Sequence, residues 1–371
     1  MSKPNDGIPP HVLHIYPDRE AAELIAHYGR KLRHTIVTDD DLVMQAMPKG
    51  LTLKQASHFP PLEGVPTPGR LQKLARAMTP FDLVLTHGWG AMDAAMAHTL
   101  FKDAMQLPPL IHHEFSLGEA EAKRPSKRRT WYRRIALGKS SGLVVPSEKL
   151  EEAALVDWQQ PLGRVKRIAP GVDTKLFAKQ PKPDGFRVIK RSGEFWLGTH
   201  VDQADAQDLS MLVRAFSTLG VDWHLIVLGE GAGRVEAEQT IDALELNDRV
   251  HWVGTTAQPG KVMGLLDIFA VAADAGHFPE AGVQAMAAGV PLVVPDEGEL
   301  AHTVAQANHP WLFQKGDETA LGEKLGGLAR DKTERRTVGE ANRAHAVSSL
   351  DRDKTVATYR RLYGSAMRIE L

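Results

Sequence analysis

Apolar positions along the chain follow two alternating patterns. Short apolar runs read as buried strands, and each is followed by a stretch whose apolar residues recur at helical spacing. His11-Val-Leu-His-Ile-Tyr-Pro17 is a first strand, the segment with Ala22, Leu24, Ile25, Ala26 and Leu32 an amphipathic helix, and Thr35-Ile-Val-Thr38 a second strand. Phe81-Asp-Leu-Val-Leu-Thr86, Pro109-Leu-Ile-His-His-Glu-Phe115 and Ser141-Gly-Leu-Val-Val-Pro-Ser147 continue the series. Phe195-Trp-Leu-Gly-Thr199 starts a second sheet, with further strands from Trp223, from Arg249 and from Asp267. Strands alternating with helices predict an α/β protein with doubly wound parallel sheets. Residues 51–80 read mostly as loop with a helix near 71–78, residues 319–342 as helix, and 351–367 as a closing helix with Val356, Leu362 and Met367 on its apolar side. Residues 178–185, with two prolines, read as a linker. The expected domains are 1–178 and 179–349, followed by a terminal helix in 350–371.

The most informative stretch is Asp274-Ala-Gly-His-Phe-Pro-Glu-Ala-Gly-Val-Gln-Ala-Met-Ala-Ala-Gly-Val-Pro-Leu-Val-Val294. A loop with Gly276 and Pro279 enters a short helix of small residues, Gly289 stops it, and a buried strand follows. The first amides of a helix lack intrahelical partners, so this unit suits a phosphate or a hydroxyl-rich ligand at the carboxyl edge of a sheet, though any α/β protein contains plain units of this kind. Leu228-Gly-Glu-Gly-Ala-Gly-Arg234 reads as a second ligand-facing turn. His112 and His113 alternate across a strand, so only one of them easily faces a ligand. A lone His such as His87 is more often a satisfied structural residue than an acid–base group.

Composition narrows the classes. The chain has 371 residues, enough for two domains, and a formal net charge of −1, which removes any global argument for nucleic-acid binding. Cysteine is absent, so thiol chemistry and disulfides are excluded. Met1-Ser-Lys-Pro-Asn-Asp-Gly has no apolar signal segment, which implies a cytoplasmic protein. One charged run stands out, Lys123-Arg-Pro-Ser-Lys-Arg-Arg-Thr-Trp-Tyr-Arg-Arg134. Its Arg128, Arg129, Arg133 and Arg134, beside Trp131 and Tyr132, suit either a solvated helix face or contact with an anionic glycolipid at the inner face of the cell membrane.

Ala285-Met-Ala-Ala-Gly-Val-Pro291, Gly171-Val-Asp-Thr-Lys-Leu-Phe177, the strand ending in Pro146-Ser147, and the Gly-x-Gly turn resemble the family 4 retaining glycosyltransferases of the GT-B fold. The resemblance implies two Rossmann-like domains facing across a cleft, the first on the acceptor side and the second on the nucleotide-sugar side. It also implies transfer of a hexose to a glycolipid or polysaccharide with retention, and no metal or other cofactor. His113 and His87 would then line the acceptor side as catalytic candidates, with Glu280 as a carboxylate near the sugar. Gly229, Gly231, Arg234, Ala204, Gln207, His277, Phe278 and Gln284 would line the donor site.

Four positions depart from the pattern. The family's Arg and Lys, two fixed cations on the donor diphosphate, correspond to Ala204 and Gln207, and its two Glu correspond to Gly276 and Gln284. The loop after the first strand, Pro17-Asp-Arg-Glu20, lacks the glycine that would let backbone approach a phosphate. Lys190 and Arg191 are candidates to compensate. A catalytically degenerate protein that binds a glycan or supports a partner transferase is the competing expectation, and an epimerase or phosphorylase of the same architecture is a third.

Overall fold

The computed structural model describes residues 8–17, 21, 25–27, 31–38, 53–56, 58–117, 121, 126–178, 188–201, 206–231, 233–254, 259–272 and 279–371. Packing divides the chain into two units, Met1–Pro170 with Thr355–Leu371, and Gly171–Lys354. The division falls several residues before the linker read from the sequence. Val172 and Arg352 exchange backbone hydrogen bonds with Leu350 and Val172 at 2.9 Å, and Leu176 fills the space beside Gly260, so the Gly171–Phe177 segment packs with the second unit.

The first unit holds a seven-stranded sheet in the order β3-β2-β1-β4-β5-β6-β7, every pair parallel. Its strands are β1 (His11–Ile15), β2 (Arg33–Val37), β3 (Leu53–Gln55), β4 (Leu83–His87), β5 (Leu110–His113), β6 (Gly142–Val145) and β7 (Val165–Arg167). β4, β5 and β6 are buried along their whole length, as apolar runs covered on both faces must be. β3 lies in the stretch expected to be mostly loop; Leu-Lys-Gln is too short and too polar to signal an edge strand. One face packs on the helices Pro68–Met78, Met92–Met105 and Lys127–Ala136. The other receives the terminal helix Arg352–Met367, whose Val356, Tyr359 and Tyr363 join Val12, Ile36 and Leu85 in a separate cluster.

The second unit holds a six-stranded parallel sheet in the order β10-β9-β8-β11-β12-β13, with β8 (Phe195–His200), β9 (Trp223–Leu228), β10 (Val250–Gly254), β11 (Ile268–Ala270), β12 (Leu292–Pro295) and β13 (Leu312–Phe313). The helix read over 319–342 is two helices, Glu318–Arg330 and Lys332–Ser349, because Asp331 leaves the helical region and caps the second through Glu334 N at 2.9 Å. Asn308 and Asn342 tie the back of this sheet together: Asn308 bonds both backbone groups of Leu292 at 2.9 Å and accepts from Asn342 at 2.8 Å.

Candidate functional site

Chain order reverses between β1 and β4 in the first sheet and between β8 and β11 in the second, and ligands of open α/β sheets sit beyond the carboxyl ends of the strands at such points. In the first unit that position is filled. Tyr16 follows β1 in the left-handed region (φ 52°), and a side chain at Gly90 would come within 3.0 Å of its ring. Behind it lies a row of histidines contributed by neighbouring strands. His14 Nε2 meets His34 Nδ1 at 3.0 Å, the His87 ring stacks on His113 at 4.6 Å, and Tyr363 Oη bonds His113 Nε2 at 2.8 Å. His87 finds no hydrogen-bond partner for either ring nitrogen among the described residues. A void of about 10 Å³, roughly one water-sized sphere, lies between His14, His87, His113 and Tyr363.

Burial, reinforced by neighbouring imidazoles, holds these rings neutral. His113 is lowered to about 3 and His34 to about 4, and His14 and His87 lie well below the ordinary value. His87 and His113 are 4% and 1% exposed. The expectation that one of them faces a ligand is therefore corrected for the first unit: both are interior rings beneath the terminal helix, and His113 is occupied by Tyr363. An apolar side drawn through Val356, Leu362 and Met367 leaves out Tyr359 and Tyr363, the two rings that meet His113.

His112 points to the opposite face, where Thr86 Oγ1 lies 2.9 Å from its Nδ1 and Glu114 3.7 Å from its Nε2. Arg133 Nε donates to Glu114 at 2.9 Å and Nη1 to Glu121 at 2.6 Å, with the guanidinium over Trp158. Burial pushes the Glu114 carboxyl up, but His112 and Arg133 outweigh it, so it lies below the usual carboxylate range. Arg133 is 1% exposed. Its place in a membrane-facing run is thus corrected: it is an interior cation with two carboxylates, while Lys127, Arg128, Trp131 and Arg134 are exposed and Arg129 is half-buried.

Above that network the first unit has a pocket of about 630 Å³ whose walls include Trp89, Tyr132, Arg128, Arg129, Asp93 and Glu63. Asp93, in the first turn of the helix after β4, accepts from Tyr132 Oη at 2.5 Å and from Arg70 Nη1 at 2.6 Å. Arg70 also donates to the carbonyls of Pro61 and Leu62, pinning the loop that carries Glu63. Burial and then Asp93 raise the Tyr132 pKa, so its hydroxyl stays a donor. Arg129 lies over Trp89 at 4.7 Å and pairs with Glu121 at 3.2 Å. The sequence reading named Trp131 and Tyr132 but missed Asp93 and Glu63; an acid opening a helix just after His-Gly-Trp-Gly was the available signal.

In the second unit, the helices Ala206–Ser217, Arg234–Ala243 and Glu280–Ala287 follow β8, β9 and β11, three neighbouring strands. Gln207, Arg234, Glu280 and Gln284 therefore come to one carboxyl edge. Gly229 is left-handed (φ 82°), and a side chain at Gly231 would strike Val201 at 2.8 Å, so both glycines are required by the turn itself. Arg234 is bonded to Glu238 at 2.7 Å and lies over Trp252 at 4.7 Å, and Gln284 donates to Glu280 at 2.8 Å. Lys190 does not compensate for the missing cations: it is held by Asp267 at 2.5 Å and by the Leu265 carbonyl. Gly289, at φ 80°, ends the Glu280–Ala287 helix as read. Ala204, Gly276, His277 and Phe278 lie outside the described residues, as do residues 18–20 and most of the linker.

Two doubly wound parallel sheets in two units are the architecture of GT-B proteins. A Glycosyltransferase Family 4 model matches residues 19–176 and a Glycosyl transferases group 1 model matches 201–345, so the chain belongs to the group 1, family 4 glycosyltransferases. An N-acetyl-alpha-D-glucosaminyl L-malate synthase from Bacillus anthracis is 24% identical over 159 residues, 42% of this chain and 42% of that protein. A mannosylfructose-phosphate synthase from Agrobacterium fabrum is 23% identical over 275 residues, 65% of this chain and 59% of that protein. The match spans less than two thirds of either relative. The solved structure of Anabaena Alr3699/HepE in complex with UDP and glucose superposes with a TM-score of 0.75 over 96% of this chain and 100% of that one, at 17% identity, a likeness of fold. Among the described residues no helix is long and apolar enough to cross a membrane.

Proposed function

We propose that the chain transfers a hexose from a nucleotide-sugar to a polysaccharide or glycolipid acceptor, with retention and without a metal, and that it holds its donor weakly. The observation that carries this reading is the delivery of Gln207, Arg234, Glu280 and Gln284 to one edge of the second sheet by three neighbouring strands. The UDP and glucose bound to the Anabaena structure support a nucleotide-sugar as donor. The Gly229–Gly231 turn offers backbone amides to a diphosphate, Gln284 a hydrogen bond to a ribose hydroxyl, and Glu280 a carboxylate near the sugar. Peripheral contact with an anionic membrane falls to the exposed Lys127, Arg128, Trp131 and Arg134, since Arg133 is interior.

Calorimetry with uridine, guanosine and adenosine diphosphates tests the donor site. Affinity should be high micromolar or weaker, because the cation there, Arg234, is paired with Glu238. Ala204→Arg with Gln207→Lys should tighten binding by roughly 3–6 kcal/mol, about 10²–10⁴-fold. Turnover should rise only when Gly276→Glu and Gln284→Glu are added, since binding alone does not favour a transition state. Low-micromolar affinity in the unaltered chain would overturn the weak donor site. The second reading, a glycan-binding protein without turnover, is favoured by the pairing of Arg234 with Glu238 and of Gln284 with Glu280; glycan binding by an unaltered chain that consumes no nucleotide-sugar would establish it.

A further inference from the structure

We propose that the terminal helix Arg352–Met367 is a latch that acid opens: when two or more imidazoles of the row beneath it take up protons, residues 355–367 lift from the first sheet while the sheet stays folded. The latch does not depend on the transferase reading.

The row holds bases and no acid. β1 contributes His14, β2 His34 with His11 beside it, β4 His87, and β5 His113 with His112 on the far face. Among the described residues, the charges that act on His14, His34, His87 and His113 all belong to other imidazoles. Glu114, behind the sheet, is taken by Arg133 at 2.9 Å, with His112 3.7 Å away. The void beside the rings is closed by Ala21, Ile25, Leu85 and Phe115, and the helix adds the phenols Tyr359 and Tyr363. Arg360, on the same helix, is bonded to the His27 carbonyl at 2.6 Å. An imidazolium in this row therefore meets no counter-ion, and a second stands against the first: His87 and His113 stack at 4.6 Å, and His14 and His34 share a 3.0 Å hydrogen bond that two imidazoliums cannot make.

A buried charge without a counter-ion needs water, and the helix is the part that can leave to admit it. β1 and β4 are paired on both sides and carry the main core on their other face. From Thr355 onward the helix is held by side chains alone: Val356, Tyr359 and Tyr363 in their cluster, the 2.8 Å bond from Tyr363 to His113, Thr355 on the Ala169 carbonyl at 3.3 Å, and Arg360. Its start is fastened without the row, by Arg352 on the Gly171 carbonyl at 3.2 Å, by Lys175 with Asp353 at 2.6 Å and by Thr174 with Asp351. The pivot thus falls after Lys354. His87, with neither ring nitrogen bonded among the described residues, lines the water-sized void and gives up no hydrogen bond when it takes a proton.

Hydrogen exchange on the full chain between pH 7.5 and pH 4.5, corrected for the intrinsic pH dependence of exchange, tests the latch. A ring that is neutral when the helix is seated and charged when it is lifted raises the opening constant about tenfold for each pH unit below about 6.5, so two rings give about a hundredfold. Amides of residues 356–367 should follow at least that slope while those of β4 and β5 stay protected, and a return to pH 7.5 should restore them. His87→Phe should lower the slope by about tenfold per pH unit. His98→Leu removes a buried imidazole from the helix on the other face of the same sheet, where it bonds the Pro108 carbonyl at 2.8 Å, and should leave the slope as it is. Thermal melts at pH 7.5 confirm that each variant folds, and His14→Leu, with the same expected slope, replaces His87→Phe if that variant does not. Helix and strand amides that lose protection together, a slope of about tenfold per unit or less, a slope unchanged in His87→Phe, or an equal fall in His98→Leu overturns the latch.

Discussion

The two units share a winding pattern but treat their reversal points in opposite ways. The first closes its own with bulk and neutral polarity: Tyr16 against Gly90, then His14, His87 and His113 stacked under Tyr363. The second lines its edge with turns that only glycine fits and with side chains that pair among themselves, Arg234 with Glu238 and Gln284 with Glu280. In the first unit the open space lies to one side instead, in the pocket between Trp89 and the Lys127–Ala136 helix. A shared topology therefore locates where a ligand can sit, while the side chains decide whether that place is used.

The largest consequence of this contrast is its response to acid. His14, His34, His87, His98 and His113 all belong to the first unit and are all held below the ordinary 6.5, chiefly by burial. A base whose folded pKa is depressed stabilises the fold fully above its unfolded pKa, and that stability is lost as pH falls from about 6.5 toward about 4 for His34 and His98 and about 3 for His113. Each ring removes up to about 1.4 kcal/mol per pH unit across its window. In the second unit His251 is lowered too, by burial first and then by His224. Hydrogen exchange between pH 7 and pH 4.5 should show first-unit amides losing protection before second-unit amides, and the reverse order would break the contrast.

The Lys127–Ala136 helix sharpens it on a smaller scale. Arg133→Met leaves Glu114 and Glu121 without their buried cation and should cost about 3–5 kcal/mol in denaturant melts. Arg134→Met, one residue on and exposed, should fall within about 0.5 kcal/mol of the parent. Similar losses for the two would mean that the Arg133 network is not what holds this face.

This helix also shows how far the sequence could be read. The strands, the alternation with helices and the glycine that ends the Glu280–Ala287 helix were legible because period and backbone strain are written locally. Within Lys123–Arg134, the chain itself does not distinguish Arg133 from Arg128 and Arg134. Their fates depend on Glu114 and Glu121, which meet Arg133 only after β5 and this helix are packed. The same limit hid Tyr363 from His113, since 250 residues separate the two partners. In the second unit Gln207, Arg234, Glu280 and Gln284 come to one edge, but what Gln207 and Gln284 do there depends on neighbours that spacing does not name.

The smallest effect tests whether the histidine row is tied to the terminal helix. Tyr363→Phe keeps the ring and its packing but removes the 2.8 Å hydrogen bond to His113 Nε2, leaving a buried nitrogen without its partner. An unsatisfied group of this kind costs about 1–3 kcal/mol, so the melting midpoint should fall by that amount in free energy. Replacing both partners, Tyr363→Phe with His113→Leu, removes the need for the bond and should recover most of the loss, because exchanging a hydrogen-bonded pair for apolar groups of similar shape is nearly neutral. Additive losses in the double variant would show that His113 is anchored by its stacking on His87 rather than by Tyr363. In that case the terminal helix would be held on this sheet by the packing of Val356, Tyr359 and the Tyr363 ring and by the Arg360 bond to the His27 carbonyl at 2.6 Å.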